Sequence, residues 1–270
     1  MSAELAIVIV GMNTRDWLRD CLQSLCAHDD VALEVVVVDN CSEDGSCQMI
    51  EETFPEVTLI RNNTLYGFAK NNNIGAAQTS APMLLFLNPD TEVTPGALRA
   101  MLAVSERHPH CGIFGGRLSD ADRQTERSVG AFPTLTSLAI DRLLAALSML
   151  RPLLDHHSQR HYLRYDIERQ VAWTTGAYLW IRRDVFDALE GWDSEIFMYG
   201  EDADLCYRSH KLGRPVLYTP DSQAFHYHNK VPLDRTRRKR LLREGLTLFA
   251  RKHYGPLRAR AYRRILGWLW

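Results

Sequence analysis

This 270-residue sequence predicts an α/β fold with a mainly parallel central sheet flanked by helices. Three observations carry that expectation. Short β-rich apolar runs alternate with helical patterns through the first hundred residues; the runs are apolar throughout rather than at every second position; and most of them end in polar or glycine-containing turns. A sheet of this kind binds its ligands beyond the carboxyl ends of its strands, so the residues that follow each run are the candidates for function.

The first run, "ELAIVIV" (4 to 10), reads as a strand buried on both faces. "TRDWLRDCLQSL" then places Trp17, Leu18, Cys21, Leu22 and Leu25 on one face of a helix behind an Asn13 or Thr14 cap. The second strand, "LEVVVVD" (33 to 39), delivers Asp39 and Asn40 into the Ser/Asp/Gly turn "NCSEDGS". An aspartate there can accept a hydrogen bond from a nucleobase imide, and the turn amides can meet a phosphate at the next helix start; a helix cap and turn alone explains it equally well. "VTLI" (57 to 60) is the third strand and "MLLFL" (83 to 87) the fourth.

The fourth run ends in Asn88, Pro89 and Asp90. In an extended segment residues i and i+2 face the same way, so Asn88 and Asp90 converge while Pro89 stiffens the backbone. Such oxygen ligands suit Mg²⁺ or Mn²⁺ carrying a diphosphate, although Asn-Pro-Asp is also ordinary turn chemistry. "PGALRAMLAVSE" follows as a helix with Pro95 in its first turn. Further on, "GWDSEIFMYGEDADLCYRSHKLG" (191 to 213) gathers Asp193, Glu195, Glu201, Asp202 and Asp204 beside aromatic rings and reads as a helix from about 201 to Gly213. Helix-dipole preference explains one or two of these acids. A carboxylate among other carboxylates and rings can have its pKa raised toward the working range of a general base, although the helix amino end pulls the other way.

Composition bounds the rest. With 46% hydrophobic residues the chain can bury one sizeable core, in one large domain or two small ones. "LAIVIV" is too short for a signal peptide and follows Glu4, and no stretch approaches a transmembrane span, so a cytoplasmic protein is expected. Six scattered cysteines without CxxC or metal-finger spacing are expected to be buried thiols rather than disulfides or a zinc site. The net charge of -1 conceals an asymmetry: from Asp234 onward there are 12 Lys/Arg against 2 Asp/Glu, and before it 20 against 31. That tail interleaves cations with Leu, Phe, Tyr and Trp, which suits an anionic membrane surface or a helix docked with its arginines in water; with no reading motif, no nucleic-acid partner is expected. The expected division is 1–233 as the catalytic domain and 234–270 as a basic amphipathic helical tail.

The motifs "VDNCSEDGS", "YGFAKNNNIGAA", "LNPDTEV", "WTTGAYLWIRRDVF", "GWDSEIFMYGEDADLCYRSHKLG" and "AFH", in this order over roughly residues 4 to 230, resemble family 2 glycosyltransferases with the GT-A (Rossmann-like) fold, and look most like the rhamnosyltransferase-like members. The resemblance implies metal-dependent, inverting transfer of a sugar from a nucleoside-diphosphate sugar to an acceptor hydroxyl. It implies Asp39 on a thymine or uracil base, with Asn13 and Asn40 beside it. Asp90 would be the metal-binding acid, Asn88 standing where the family often has another, and His226 would complete the metal or diphosphate site, with His228 a rival. Asp202 would be the catalytic base, with Glu201 the alternative, and Trp173, Gly176 and Ala177 would line the donor and acceptor cleft. The apolar segment 135–154 would be an acceptor-side flap, a membrane-facing surface, a core helix or a dimer contact.

An enzyme on the inner face of the cytoplasmic membrane, acting on a lipid-diphosphate-linked glycan, is the expectation that joins the resemblance to the basic tail. Two other classes compete with it. A sugar-nucleotide nucleotidyltransferase would show a glycine-rich amino-terminal loop with a basic residue for triphosphate, which "IVIVGMNTRD" matches poorly. A non-catalytic nucleotide-sugar-binding protein would keep Asp39 and have no need of Asp202.

Overall fold

The computed structural model describes residues 3–136, 164–227 and 235–268. His228, and the predicted helix over 135–154 beyond Leu135 and Thr136, lie outside the described residues. Nine strands form one sheet in the order β3-β2-β1-β4-β10-β6-β11-β5, with β8 also paired to β11. β1 (Leu5–Gly11), β2 (Leu33–Asp39), β3 (Thr58–Arg61), β4 (Met83–Leu87), β6 (Ile113–Ser119) and β11 (Val216–His226) run in one direction. β5 (Thr91–Val93), β8 (Arg169–Val171) and β10 (Tyr178–Arg182) run against them. A two-stranded ladder of β7 (Val129–Gly130) and β9 (Trp173–Thr174) stands beside the sheet.

The unbroken apolar runs have a simple cause. In β1 the side chains of Leu5, Ile7 and Ile9 enter a core with α1 (Arg15–Cys26), α2 (Ser46–Thr53) and α4 (Ala97–Arg107), while Ala6 and Val8 enter the opposite core. That second core is closed by α3 (Phe68–Ala76), α5 (Arg183–Ala188) and α6 (Glu201–Lys211). With both faces covered, neither set of alternating positions can be polar. α1 buries Leu18, Cys21, Leu22 and Leu25 as the spacing predicts, whereas Trp17 is half-buried and stacks on Tyr227, 5.3 Å between ring centroids.

Two expectations change. "VTLI" is an edge strand with Thr58 and Arg61 exposed, because β3 has a neighbour on one side only. Pro95 precedes its helix instead of opening it: Gly96, at φ 77°, is the N-cap and α4 begins at Ala97. All six thiols are free; Cys21, Cys111 and Cys206 are buried, while Cys26 is exposed.

The tail folds into α7 (Arg235–Tyr254) and α8 (Pro256–Trp268). α7 turns Leu241, Gly245 and Phe249 inward at four-residue spacing, one stripe of a helix. Fully buried Phe249 stacks against Phe132 and packs edge-on to Tyr207 of α6. Ala250, Ala259 and Tyr262 form a small core of their own between the two helices.

α3 approaches the sheet closely at Gly75, where a methyl group would collide with Val8 Cγ1 and lie 3.1 Å from Val38 Cγ2. Gly75→Ala is therefore expected to destabilise the fold by about 1–3 kcal/mol through overpacking. Urea denaturation monitored by circular dichroism would read this as a lower midpoint with an unchanged slope.

Candidate active site

Parallel pairing puts Gly11 of β1 level with Asp39 of β2, so the loops after both strands meet. Asn13, in the left-handed region at φ 53°, donates its amide to Ser42 Oγ and accepts from the Glu43 amide; the Arg15 amide donates to Asp44. Asp39 is buried, and one of its oxygens accepts from the Ser42 amide across an Asx turn. Asn40 has a different task. Its carboxamide bonds both the amide and the carbonyl of Tyr66, and Asn62 and Asn71 extend the network to α3. The side chain of Asn40 is thus spent on holding the loop that enters α3, next to the pocket floor made by Asp39.

Beyond β4, Asn-Pro-Asp is a turn rather than an extended segment, closed by the Thr91 amide on the Asn88 carbonyl. The two side chains nevertheless meet at one place. Asn88 Nδ2 and Asp90 Oδ1 lie 3.3 and 3.4 Å from His226 Nε2, and the Tyr227 amide bonds the Asp90 carbonyl. His226 arrives there because the end of β11 pairs with β5, His226 opposite Thr91. Its other nitrogen, Nδ1, sits 3.1 Å from Glu126 Oε2. Burial on its own would lower the imidazole's pKa, but the bonds to Asp90 and Glu126 outweigh it and raise the group to about 9.

The turn that starts β10 connects this cluster to the acidic helix. β10 runs antiparallel to β4, so it presents its beginning, not its end, at the functional edge: the Asn88 amide donates to the Ala177 carbonyl. Gly176 packs beneath Phe68 and Trp192, with room for a Cβ only 3.1 Å from the Phe68 ring. Trp173 is half-buried; its indole donates to the Ala131 carbonyl and covers Gly130. Asp202, at the start of α6, has its carboxylate next to the Gly176 amide. Desolvation raises its pKa, and the amides of Ala203 and Gly176 offset part of that rise.

Glu201 and Asp202 are not alike. Glu201 is buried and its Oε2 has no hydrogen-bond partner, while Asp202 is partly buried. Burial, then the charges of Asp202 and Asp204, pushes the Glu201 pKa far above the carboxylate range. Burial thus disfavours the charged form of Glu201 the more strongly, and Asp202 is the less buried of the two carboxyls. The remaining acids of the string are tied down: Asp193 and Glu195 to Lys252, and Asp204 to Arg208 Nε at 2.7 Å and His253 Nε2 at 2.6 Å. Burial would raise the pKa of Asp204, but His253 and Arg208 more than reverse this and lower it.

Residues 6–189 match the sequence model of the family described as glycosyl transferase family 2. The chain belongs to this family. It is 29% identical over 238 residues to the N-acetylglucosaminyl-diphospho-decaprenol L-rhamnosyltransferase of Mycobacterium tuberculosis, covering 84% of this chain and 77% of that protein. It is 27% identical to the rhamnosyltransferase WbbL of Escherichia coli, covering 82% of each. The crystal structure of GalNAc-T7 with UDP, GalNAc and Mn²⁺ shares the fold at a TM-score of 0.63 and 17% identity, over 84% of this chain. The chain spans 44% of that protein's length. The molecule is accordingly a rhamnosyltransferase-like family 2 glycosyltransferase with a GT-A fold.

In this glycosyltransferase the least legible site residue is Glu126. It precedes β7, in a stretch with no motif, and a tight turn returns it to the end of β6: Asp120 accepts from the Asp122 and Gln124 amides, and the Glu126 amide donates to the Leu118 carbonyl. Lys252 and His253 were equally hidden inside a charge-rich tail. Only their three- and four-residue offset from Phe249 on the inward stripe marks them as domain-facing.

A carboxyl whose folded pKa is raised stabilises the fold fully below its unfolded value and loses that contribution as pH rises through the folded one. The urea midpoint of the wild-type protein is therefore expected to fall as pH climbs from the ordinary glutamate value of 4.5 toward and past neutrality. Glu201→Gln should flatten that decline; an unchanged pH slope would show that Glu201 ionises normally.

Proposed function

We propose that this glycosyltransferase moves a hexose, by its likeness rhamnose, from a thymidine or uridine diphosphate sugar to a hydroxyl of a lipid-diphosphate-linked glycan, with inversion at the anomeric carbon. Its place is cell-envelope polysaccharide synthesis at the inner face of the cytoplasmic membrane. Among the described residues no helix is long and apolar enough to cross a membrane, so a peripheral attachment is the form proposed. One observation carries the chemistry: the Asn88 amide bonds Ala177, and the neighbouring Gly176 amide lies against Asp202. A base with a raised pKa and a buried cluster of acids around His226 are thus joined through two residues.

The donor set fits a divalent cation. Asp90 and Glu126 supply buried carboxylates on either side of one imidazole, and that mixture of hard oxygens with a single nitrogen suits Mg²⁺ or Mn²⁺. Asp90 and His226 would hold the ion, which would displace the proton that Asp90 otherwise keeps on Nε2, with Glu126 orienting the imidazole from its far nitrogen. The cation supplies Lewis-acid stabilisation of the charge that develops on the departing diphosphate.

The protein's own groups do the rest. The Asp39 carboxylate, held by the Ser42 amide and beside the Cys47 thiol, accepts from the imide N–H of a pyrimidine, a donor that thymine and uracil share. Asp202 takes the proton from the acceptor hydroxyl as its oxygen forms the new bond to the anomeric carbon and the bond to the diphosphate oxygen breaks on the opposite face. A single displacement inverts the configuration and needs no enzyme nucleophile. The raised pKa of Asp202 brings its basicity closer to the working pH, at the cost of remaining partly protonated below it.

The test is release of nucleoside diphosphate from a panel of uridine, thymidine and guanosine diphosphate sugars, with Mg²⁺, Mn²⁺ or EDTA, and with or without a lipid-linked acceptor. Acceptor-stimulated release from one pyrimidine donor, abolished by EDTA, is expected. Asp202→Asn should lower kcat by about 10²–10⁴-fold with donor affinity retained. Binding without release under every condition would refute the transferase reading. A second check is thermal: Mn²⁺ with nucleoside diphosphate should raise the Tm of wild-type protein, and Asp90→Ala should abolish most of that rise.

A further inference from the structure

The segment 191–200, which leads into Asp202, is gripped from two sides. On one side Asn73 of α3 bonds both the amide and the carbonyl of Trp192, and the Phe68 amide bonds the Phe197 carbonyl where Gly67 leaves no room for a Cβ. On the other side α7 closes over it. Lys252 pairs with Asp193 and Glu195, and Gly245 packs so closely on Tyr199 that any Cβ would collide with the Tyr199 carbonyl. Tyr199 and Gly200 both have positive φ, 69° and 104°, so this turn is a local conformation that α7 supports from outside. His253 then reaches past the turn to buried Asp204, one helical residue beyond Ala203 and two beyond Asp202.

The outer side of the same helix pair has the opposite character. Arg251, Arg258, Arg260, Arg263 and Arg264 are exposed and have no ion-pair partner among the described residues. Leu257, at 77% exposure, projects among them. Cations around an exposed apolar side chain suit a surface of anionic headgroups over acyl chains, where each added cation contributes about 1 kcal/mol.

We propose that α7 and α8 form a lipid-facing clamp: the outer arginines seat on an anionic bilayer, and Gly245, Lys252 and His253 are positioning residues that pass this seating to the loop carrying Asp202. The inference rests on the transferase reading above and adds the means by which the acceptor's own surroundings switch that site on. The inner contacts bind most strongly when α7 is ordered, and binding of its outer face to a bilayer favours the ordered helix, so the two are linked equilibria. The membrane does not touch substrate in this scheme; it stabilises the loop that holds the base.

The experiment uses the full chain, its active pyrimidine donor and a short-chain, water-soluble analogue of the lipid-diphosphate acceptor. Turnover and co-flotation are measured with phosphatidylglycerol-containing vesicles and with pure phosphatidylcholine vesicles. Anionic vesicles are expected to float the protein and raise kcat severalfold with donor KM unchanged, and phosphatidylcholine to do neither. The combined charge reversal R258E, R260E, R263E and R264E should lower vesicle affinity on the order of 100-fold and remove the stimulation. Gly245→Val should still float while showing low kcat that vesicles do not raise. Because Gly245→Val can misfold, Lys252→Gln, with its folding checked by a wild-type urea midpoint, is the second variant and is expected to float with a reduced kcat and unchanged donor KM. Flotation with unaltered kcat, no flotation, or positioning variants that change donor KM instead of kcat would each overturn the clamp. Loss of turnover in every condition, with every donor, would instead refute the transferase reading.

Discussion

Six strands running in one direction impose the constraint on which the rest of this molecule depends. Parallel pairing forces β1, β2, β4, β6 and β11 to end at the same edge, so five separate loops open onto one strip of surface. Helices on both faces make the strands apolar throughout and leave them no polar work to do. Chemistry is thereby displaced to the edge. Asp39, Asn88 and His226 are each the last strand residue or the first after it. The antiparallel strand β10 obeys the same geometry in reverse, and Gly176 and Ala177 sit immediately before it.

Electrostatics sorts the acids gathered at this edge. Besides Asp39, seven carboxylates in or near the site would repel one another if they were all alike in water, and the fold treats them in three ways. Asp193, Glu195 and Asp204 are neutralised by Lys252, His253 and Arg208. Asp90 and Glu126 flank His226, one at each ring nitrogen, and are balanced by its charge. Glu201 and Asp202 remain, with burial pushing both pKa values upward. The first group is what keeps the third from facing additional uncompensated charge. An uncompensated buried Asp204 would cost several kcal/mol, so α7 is part of the electrostatic balance of the acidic helix rather than an appendage to it.

Much of the fold was legible because its signals are local. β1, β2 and β4 follow from continuous apolar runs, and α1 from the spacing of Leu18, Cys21, Leu22 and Leu25. The edge position of β3 was not legible, since pairing on one side only is a property of strand order, not of "VTLI" itself. The site divides along the same line. Asp39, Asn88, Asp90 and Asp202 lie in or beside motifs that mark strand or helix ends. Asn40 is also in such a motif, yet its carboxamide holds the Tyr66 loop, which spacing cannot foretell. Glu126, Lys252 and His253 come from segments about 100, 59 and 49 residues away from the groups they bind, and nothing in a local window encodes a partner at that distance.

The site is divided along the chain. Asp39, proposed for the nucleobase, lies before residue 95 on a strand that runs with its neighbours; Asp202 and the wall around Gly176 come after residue 164, and the two portions of chain are joined by the ladders β4–β10 and β5–β11. The stretch between them returns only Glu126 and the β7 ladder to the site among its described residues. With the roles proposed above, change in that middle stretch alters what approaches Asp202 and leaves Asp39 and its loop untouched, so acceptor and donor recognition sit on separable lengths of chain.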